Sequence, residues 1–241
     1  DDVVDESYLR RGKKTANKIW GNKASVLVGD FIFTKAFQIM VDDQDLKVLQ
    51  NLSNASKSLA QGEVLQLSLK NNLDIDSEKY FKVVKDKTAK LFSSSAMVGG
   101  IISKRPETII SKLDKFGNNL GIAFQLLDDA LDYECSENNI GKNIGDDFKE
   151  GKITLPVILA YIRSNKKEKE FWKRTIIELD QKENDFYEAF LIMTKYKCIT
   201  DTIERAKHFA NVAIDSLGIF NENEYKSALM NLIHSSLNRL S

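Results

Sequence analysis

LKVLQNLSNASKSLAQGEVLQLSL, residues 46–69, carries the reading of the fold. Its apolar residues Leu49, Leu52, Leu59, Val64 and Leu67 recur at helical rather than alternating intervals, with no proline among them. The pattern continues on both sides. Upstream, from Val26 onward, Phe33, Phe37 and Met40 repeat it with Ala36 beside them. Downstream, a third element is predicted from about Ser77 to Ile102, with Ser77-Glu78 as its cap. A fourth follows Pro106, a residue suited to a helix's first turn, and runs to about Tyr133. The glycine-containing segment 134–151 is the one long break, and shorter amphipathic stretches follow near 153–163, 168–178, 183–195, 199–217 and 222–240. Only 2 prolines and 12 glycines interrupt 241 residues, and no sustained period-two alternation appears. The expectation is an all-α fold: one helical-bundle domain over residues 1–241, without solenoid repeats or linker-like composition.

Composition narrows the function classes. Hydrophobic residues make up 42% of the chain, which excludes global disorder. Lys+Arg 35 against Asp+Glu 35 gives no net charge, so nucleic acid is not the expected partner. The two cysteines, Cys135 and Cys198, sit in no CxxC and cannot build a disulfide framework, which points to a reducing, cytoplasmic setting. No charge-free run approaches the roughly 18 residues of a membrane span. The chain opens on Asp1-Asp2 without an initiator methionine, so an N-terminal part is expected to be missing.

Two short strings carry the chemistry: Asp1-Asp2-Val3-Val4-Asp5 and Asp128-Asp129-Ala130-Leu131-Asp132, both DDxxD. On a helix, positions i and i+4 share a face, so Asp1 would point with Asp5 and Asp128 with Asp132. Such pairs destabilise a helix by about 0.2–0.5 kcal/mol each. Nothing cationic adjoins the second pentad in sequence, and the apolar run Gly121–Leu127 precedes it. Crowded carboxylates beside an apolar wall call for a cation, and all-oxygen ligands select a hard one such as Mg²⁺. One acidic pentad is common on a solvated helix. Two copies, 127 residues apart (128 minus 1), are harder to explain that way. Cations complete the pattern: Arg10 and Arg11 after the first pentad, Lys87 in Lys85-Asp86-Lys87-Thr88, and Lys142 and Lys152 after the second. Carboxylates, Mg²⁺ and surrounding Arg and Lys are what a diphosphate leaving group requires. There is no Walker pattern for nucleotide hydrolysis and no Glu-x-x-His pair for a di-iron site.

With these strings on the page, the sequence resembles the trans-polyprenyl diphosphate synthases, most of all the bacterial octaprenyl type. DDVVDESYLRRG matches the family's first aspartate-rich motif, and GIAFQLLDDALDY its second. GKNIGDDFKEGKITLP matches the segment after that, while GNKASVLVGDFIFTKAF and the GEVLQL at Gly62–Leu67 read like this subgroup. The resemblance covers most of residues 1–165. It implies an isoprenoid-synthase-type bundle around a central apolar cavity. It also implies Mg²⁺-dependent head-to-tail condensation of an allylic diphosphate, farnesyl diphosphate above all, with successive isopentenyl diphosphates. The implied product is a long all-trans chain, octaprenyl in length, for quinone side chains.

By the same resemblance, Asp1, Asp5 and Asp128 would hold Mg²⁺ directly, with Asp2, Asp129 and Asp132 acting through water or from behind. Arg10 would meet the allylic diphosphate and Arg11 the isopentenyl diphosphate. Lys87, Thr88, Gln125 and Lys142 would contact the allylic substrate, with Lys152 as a further candidate. The catalytic set would be Asp1, Asp5, Asp128 and Lys87. Phe37, Met40 and Leu52 would form the pocket that stops chain growth, although core packing explains the same residues. His208 and His234 read as structural. The family's Gly-Lys-Arg stretch and its histidine for isopentenyl diphosphate would lie upstream of residue 1. A homodimer with at most peripheral membrane contact is implied. A terpene cyclase would replace the second pentad, and a non-catalytic partner subunit of a heteromeric synthase would lose an acidic motif; both pentads are intact here.

Overall fold

The computed structural model describes residues 2–5, 7–10, 12–73, 76–133 and 145–237. Two compact units are present, residues 1–50 and residues 51–241, and each is described by itself.

In the first unit residues 2–5 of the pentad form turns rather than a helix, so the helical premise fails there, while the pairing of Asp1 with Asp5 lies outside the described residues. A miniature hairpin follows, β1 (Leu9–Arg10) pairing antiparallel with β2 (Lys13–Lys14). Gly12 closes it at φ +73°, a conformation side-chain-bearing residues avoid. The hairpin is a small departure from the all-α expectation. Helix α1 (Ala16–Asp42) then runs long, kinked at Gly21 where the backbone leaves helical geometry. The buried Asn17 ties the start of α1 to the acidic turn, its Nδ2 donating to the carbonyls of Asp2 (3.1 Å) and Ser7 (3.2 Å).

Most apolar side chains of α1, including Val26, Leu27, Val28, Phe31, Ile32, Phe33 and Ile39, are exposed. Among the described residues, α1 is the helix long and apolar enough to cross a membrane by length and composition. Asp30 and Lys35 interrupt it, so it contains no long charge-free run.

Helix α2 (Leu46–Leu69) begins at the end of the first unit and continues into the second. There the predicted third element is a helix with an insertion: α3 (Ser77–Val84), a π-helical turn at Lys85–Ala89, then α4 (Lys90–Ile102). Its cap is Asp76 rather than Ser77, with the carboxylate accepting from the Lys79 N–H at 2.8 Å. Pro106 precedes α5 (Glu107–Leu131), the central helix, which packs against α4 on one side and the later α10 on another. The short α6 (Asp146–Lys149) leads to α7 (Leu155–Arg163), with Pro156 in its first turn. Then come α8 (Lys166–Trp172), opened by an Asn165–Glu168 capping box, and a second π-helical turn at Lys173–Ile177. Helices α9 (Asp185–Lys195), α10 (Cys198–Ser216) and α11 (Glu224–Leu237) complete the unit.

Two apolar cores hold it together. One gathers Ile122, Leu126 and Leu127 of α5 with Leu155, Trp172, Ile176 and Met193; the other joins Phe116 and Leu120 to Ala213, Leu217 and Ile233.

Candidate active site

Absent side chains position the site first. A Cβ at Gly62 of α2 would lie 2.6 Å from the backbone nitrogen of Lys87, and one at Gly121 of α5 would lie 2.5 Å from the Cα of Ala89. Both helices therefore pack directly on the backbone of the π-helical turn that carries Lys87 and Thr88. A π-helical turn inserts one residue into the helical ladder, and such turns are frequent at functional sites.

From that turn a chain of hydrogen bonds runs to the second pentad. Thr88 Oγ1 donates to Gln125 Oε1 at 2.8 Å. Gln125 Nε2 donates to Asp129 Oδ1 at 2.8 Å. The Tyr80 hydroxyl donates to the other oxygen, Oδ2, at 2.5 Å. Lys87 is held from the other side: its Nζ lies 2.7 Å from Glu63 Oε2 and donates to Gln66 Oε1 at 2.6 Å.

The three aspartates of the second pentad face different surroundings. Asp128 is exposed, Asp132 is half-buried and Asp129 is only 4% exposed. Asp132 accepts the backbone N–H groups of Asp146 (3.3 Å) and Asp147 (3.0 Å), which fixes its carboxylate against the start of α6. Burial pushes the Asp129 carboxyl up to about 7, with the nearby Asp147 raising it further and the bonds from Tyr80 and Gln125 opposing. Burial and Asp147 likewise push Asp132 up to about 7. Asp147 itself is raised by burial, against the pull of Lys152. Lys152 Nζ sits 3.4 Å from Asp147 and 2.9 Å from Glu150, so a cation does adjoin this cluster, through the fold rather than through the local sequence. Behind it, the buried Tyr133 phenol is pushed well up, mainly by burial. Among the described residues its hydroxyl has no partner in hydrogen-bond geometry; Thr154 is near enough to oppose the shift weakly but is not aligned.

In the first unit Arg10 Nε donates to Asp2 Oδ1 at 2.8 Å, so the expected diphosphate ligand here holds an aspartate of its own pentad. Asp5 is half-buried in the turn. Asp1, Arg11 and Lys142 lie outside the described residues. Among the described residues no group of three His, Cys, Asp or Glu side chains forms a protein-only metal cage.

Beside Lys87 and Thr88 opens an apolar cavity of about 810 Å³. Leu91, Phe92 and Gly99 of α4, Leu113 and Phe116 of α5, and Leu229 of α11 are among its walls. Leu52 is half-buried on α2 and does not line it. Phe37 and Met40 belong to the first unit: Phe37 packs edge-to-face on Phe33 at 5.0 Å, and Met40 is buried. His208 and His234 are exposed, outside both cores.

The site contains groups the sequence reading passed over. Glu63 and Gln66 lay inside the GEVLQL string without a role, and Asp147 lay inside the glycine loop. Tyr80 gave no signal beyond one more large residue on an amphipathic helix; only the fold brings it across 49 positions to Asp129.

Comparison with known proteins fits this geometry. The polyprenyl synthetase family profile matches residues 1–193. An octaprenyl diphosphate synthase from Haemophilus influenzae is 42% identical over 239 residues, covering 99% of this chain and 72% of the relative. A decaprenyl diphosphate synthase from Rhodobacter capsulatus superposes with a TM-score of 0.96 at 43% identity, covering 100% of this chain and 74% of that one. A polyprenyl synthase from Caulobacter crescentus, solved with calcium and isoprenyl diphosphate, superposes at 0.94 with 42% identity and the same coverage. The chain belongs to the polyprenyl synthetase family and is a trans-type prenyltransferase similar to the octaprenyl diphosphate synthases.

Proposed function

We propose that the chain condenses an allylic diphosphate, farnesyl diphosphate above all, with successive isopentenyl diphosphates, in a Mg²⁺-dependent reaction that stops at octaprenyl length. One observation carries this reading. Lys87 and Thr88, linked through Gln125 to an acidic pentad, stand at the edge of an apolar cavity of about 810 Å³. A charged head beside an apolar bay matches an amphiphile with a diphosphate head and a hydrocarbon tail.

The donor set fits Mg²⁺. Asp128 and Asp132 offer hard oxygens on one face, and the Asp129 and Asp132 carboxyls are raised first by burial and then by repulsion from Asp147, a repulsion that a dication would relieve. Mg²⁺ is bound typically through one or two carboxylates with substrate phosphates completing its shell. Asp128 and Asp132 would hold it here, with Asp1, Asp2 and Asp5 offering the same chemistry in the first pentad. When bound, the ion offsets negative charge on the leaving diphosphate.

The chain's own residues do the rest. Lys87, Arg10 and Lys152 bind diphosphate oxygens, and Arg11 and Lys142 add to them. Thr88 and Gln125 orient the allylic group as its C–O bond breaks. The apolar bay limits water's access to the resulting allylic cation, which the isopentenyl double bond attacks; the new C–C bond leaves a cation that loses its proton to the released diphosphate. Leu52 does not line that bay, and the part of Phe37, Met40 and Leu52 in limiting chain growth rests on the resemblance alone; on it, Met40→Ala is expected to lengthen the product and Leu52→Trp to shorten it.

The exposed apolar face of α1 supports a homodimer. An uncovered patch of that kind marks an interface, and Asp30 and Lys35 in mid-helix disfavour lipid as its cover. We place the enzyme in the cytoplasm, in at most peripheral membrane contact through its greasy product and feeding quinone side chains. The buried, unpaired thiol of Cys198 supports a reducing setting.

The test incubates the intact protein with farnesyl diphosphate, labelled isopentenyl diphosphate and Mg²⁺, with an EDTA control, and sizes the products by chromatography. A Mg²⁺-dependent ladder ending at octaprenyl is expected; an earlier stop corrects the ruler alone. No incorporation by folded protein would move the reading to a non-catalytic partner subunit. Asp128→Asn should cut turnover by orders of magnitude while leaving helicity intact, and near-normal activity would sink the metal assignment.

A further inference from the structure

We propose that Glu63 and Gln66 are positioning residues for Lys87, holding its ammonium in place to receive the allylic diphosphate. The inference rests on Lys87 being a diphosphate ligand, as proposed above, and adds a role for the GEVLQL string. An ammonium has three N–H donors and no acceptor. Two are committed here: one to Glu63 Oε2 at 2.7 Å and one to Gln66 Oε1 at 2.6 Å. Glu63 and Gln66 are three residues apart on α2 and so share one face. Gly62, immediately before them, lets α2 approach until a Cβ there would lie 2.6 Å from the backbone nitrogen of Lys87 and 3.0 Å from the Asp86 Cβ. Gly62, Glu63 and Gln66 thus act as one device: the glycine brings the helix in, and the two acceptors fix the ammonium. Among the described residues nothing takes the third donor, which is left for an incoming oxygen.

The partners are shielded enough for the arrangement to persist. The side chains of Lys87 and Glu63 are 25% and 24% exposed, so water competes only in part for the pair. A lysine free in solvent samples many rotamers and loses that freedom on binding; this one has already lost it. The competing view is that the pair merely fastens α2 to the π-helical turn. Both views expect some loss of stability on mutation, so stability cannot separate them.

The separating experiment is a double-mutant cycle read in KM for the allylic diphosphate, using Glu63→Ala, Gln66→Ala, Lys87→Ala and the double variant Glu63→Ala/Lys87→Ala. Glu63→Ala should raise that KM about tenfold and Gln66→Ala severalfold, while KM for isopentenyl diphosphate stays put. Glu63→Gln, which keeps an acceptor, should recover part of the loss. In the Lys87→Ala background the Glu63 effect should vanish, because there is no ammonium left to place. An equal effect in both backgrounds overturns the proposal. So does an unchanged or lower KM in Glu63→Ala, the latter being expected if Glu63 only competes with substrate for the ammonium. If Lys87→Ala itself leaves the allylic KM unchanged, the diphosphate role of Lys87 fails and this proposal with it; a raised KM there with a silent Glu63 overturns this proposal alone.

Discussion

Replacing Tyr80 with Phe deletes one oxygen atom from a closed pocket. Tyr80 is 6% exposed and its hydroxyl donates to Asp129 Oδ2 at 2.5 Å; Asp129 is 4% exposed. The ring remains, so the lost packing is small. What changes is that Oδ2 of a buried acid loses its donor, with no route to water. A hydrogen bond to a charged or charge-sharing group contributes roughly 1.5–3 kcal/mol, and about 2 kcal/mol is the expected loss here. For a chain of this size each kcal/mol moves Tm by roughly 2–4 °C, so the variant should melt about 4–8 °C lower. The assay is thermal unfolding of metal-free protein followed by circular dichroism. Tyr133→Phe is the internal control: that ring is also buried beside the same cluster, but among the described residues its hydroxyl lacks an aligned partner. Removing an unpaired buried hydroxyl should cost less than about 1 kcal/mol or stabilise slightly. Equal Tm shifts for the two variants would refute the stabilising role given to the Tyr80–Asp129 bond.

Other consequences can be measured in the same way. Gly121→Ala sets a methyl against the Ala89 backbone, which must shift; a loss of about 1–3 kcal/mol is expected together with a weaker allylic KM. Gly99→Ala meets no atom within 4 Å and should instead stabilise α4 by about 0.5–1 kcal/mol, so the contrast in Tm tests close packing against helix propensity. Asp185 accepts a two-pronged contact from Arg174 at 2.7 and 2.8 Å, which holds its carboxyl below the usual range; Asp185→Asn should cost about 2–3 kcal/mol at pH 7. Because the folded value is depressed, that contribution is complete above the ordinary carboxylate value and fades as pH falls through the folded one. The Tm gap between variant and parent should therefore close on acidification, and a gap that persists in acid would refute it. Asp129 and Asp132 behave oppositely: raised to about 7, they favour folding when protonated, and that stability drains away as pH climbs from the unfolded value near 4 through 7. Added Mg²⁺ should accordingly raise Tm more at pH 8 than at pH 5, and equal shifts would sink the carboxylate reading.

What the sequence made legible was whatever depends on local periodicity. Residues 46–69 and the helix after Pro106 were readable because their apolar residues recur at helical intervals; which face of 46–69 is covered was not, since Val48, Ala55 and Gly62 are buried while Val64 and Leu67 stay exposed. The first pentad misled for the same reason in reverse. The i and i+4 argument assumes a helix, while Asp2–Asp5 turns and is pinned by Asn17 and Arg10 from further along the chain. The π-helical turn left no compositional trace, since an inserted residue changes hydrogen-bond register without changing residue type. Lys87 with Glu63, and Tyr80 with Asp129, are pairs between elements. Their meeting depends on how closely helices pack, which Gly62 and Gly121 decide, and no spacing rule along one strand of sequence reports that.

The second pentad shows why three aspartates in five positions can be held together without falling apart. Consecutive residues on a helix point about 100° apart, so Asp128 and Asp129 cannot face the same way. Asp128 takes the open side with Asp132. Asp129 turns inward, where Tyr80 and Gln125 each satisfy one of its oxygens. Asp132 is steadied by two backbone N–H groups, and Lys152 offsets part of the charge on Asp147. Buried as it is, the inner acid is turned away from an incoming ion, and its work is mechanical. Through Gln125 and Thr88 it couples the acidic end of α5 to the turn that carries Lys87. A change at either end of that line has to be felt at the other, and that coupling explains why a buried aspartate next to an exposed one is part of the same site.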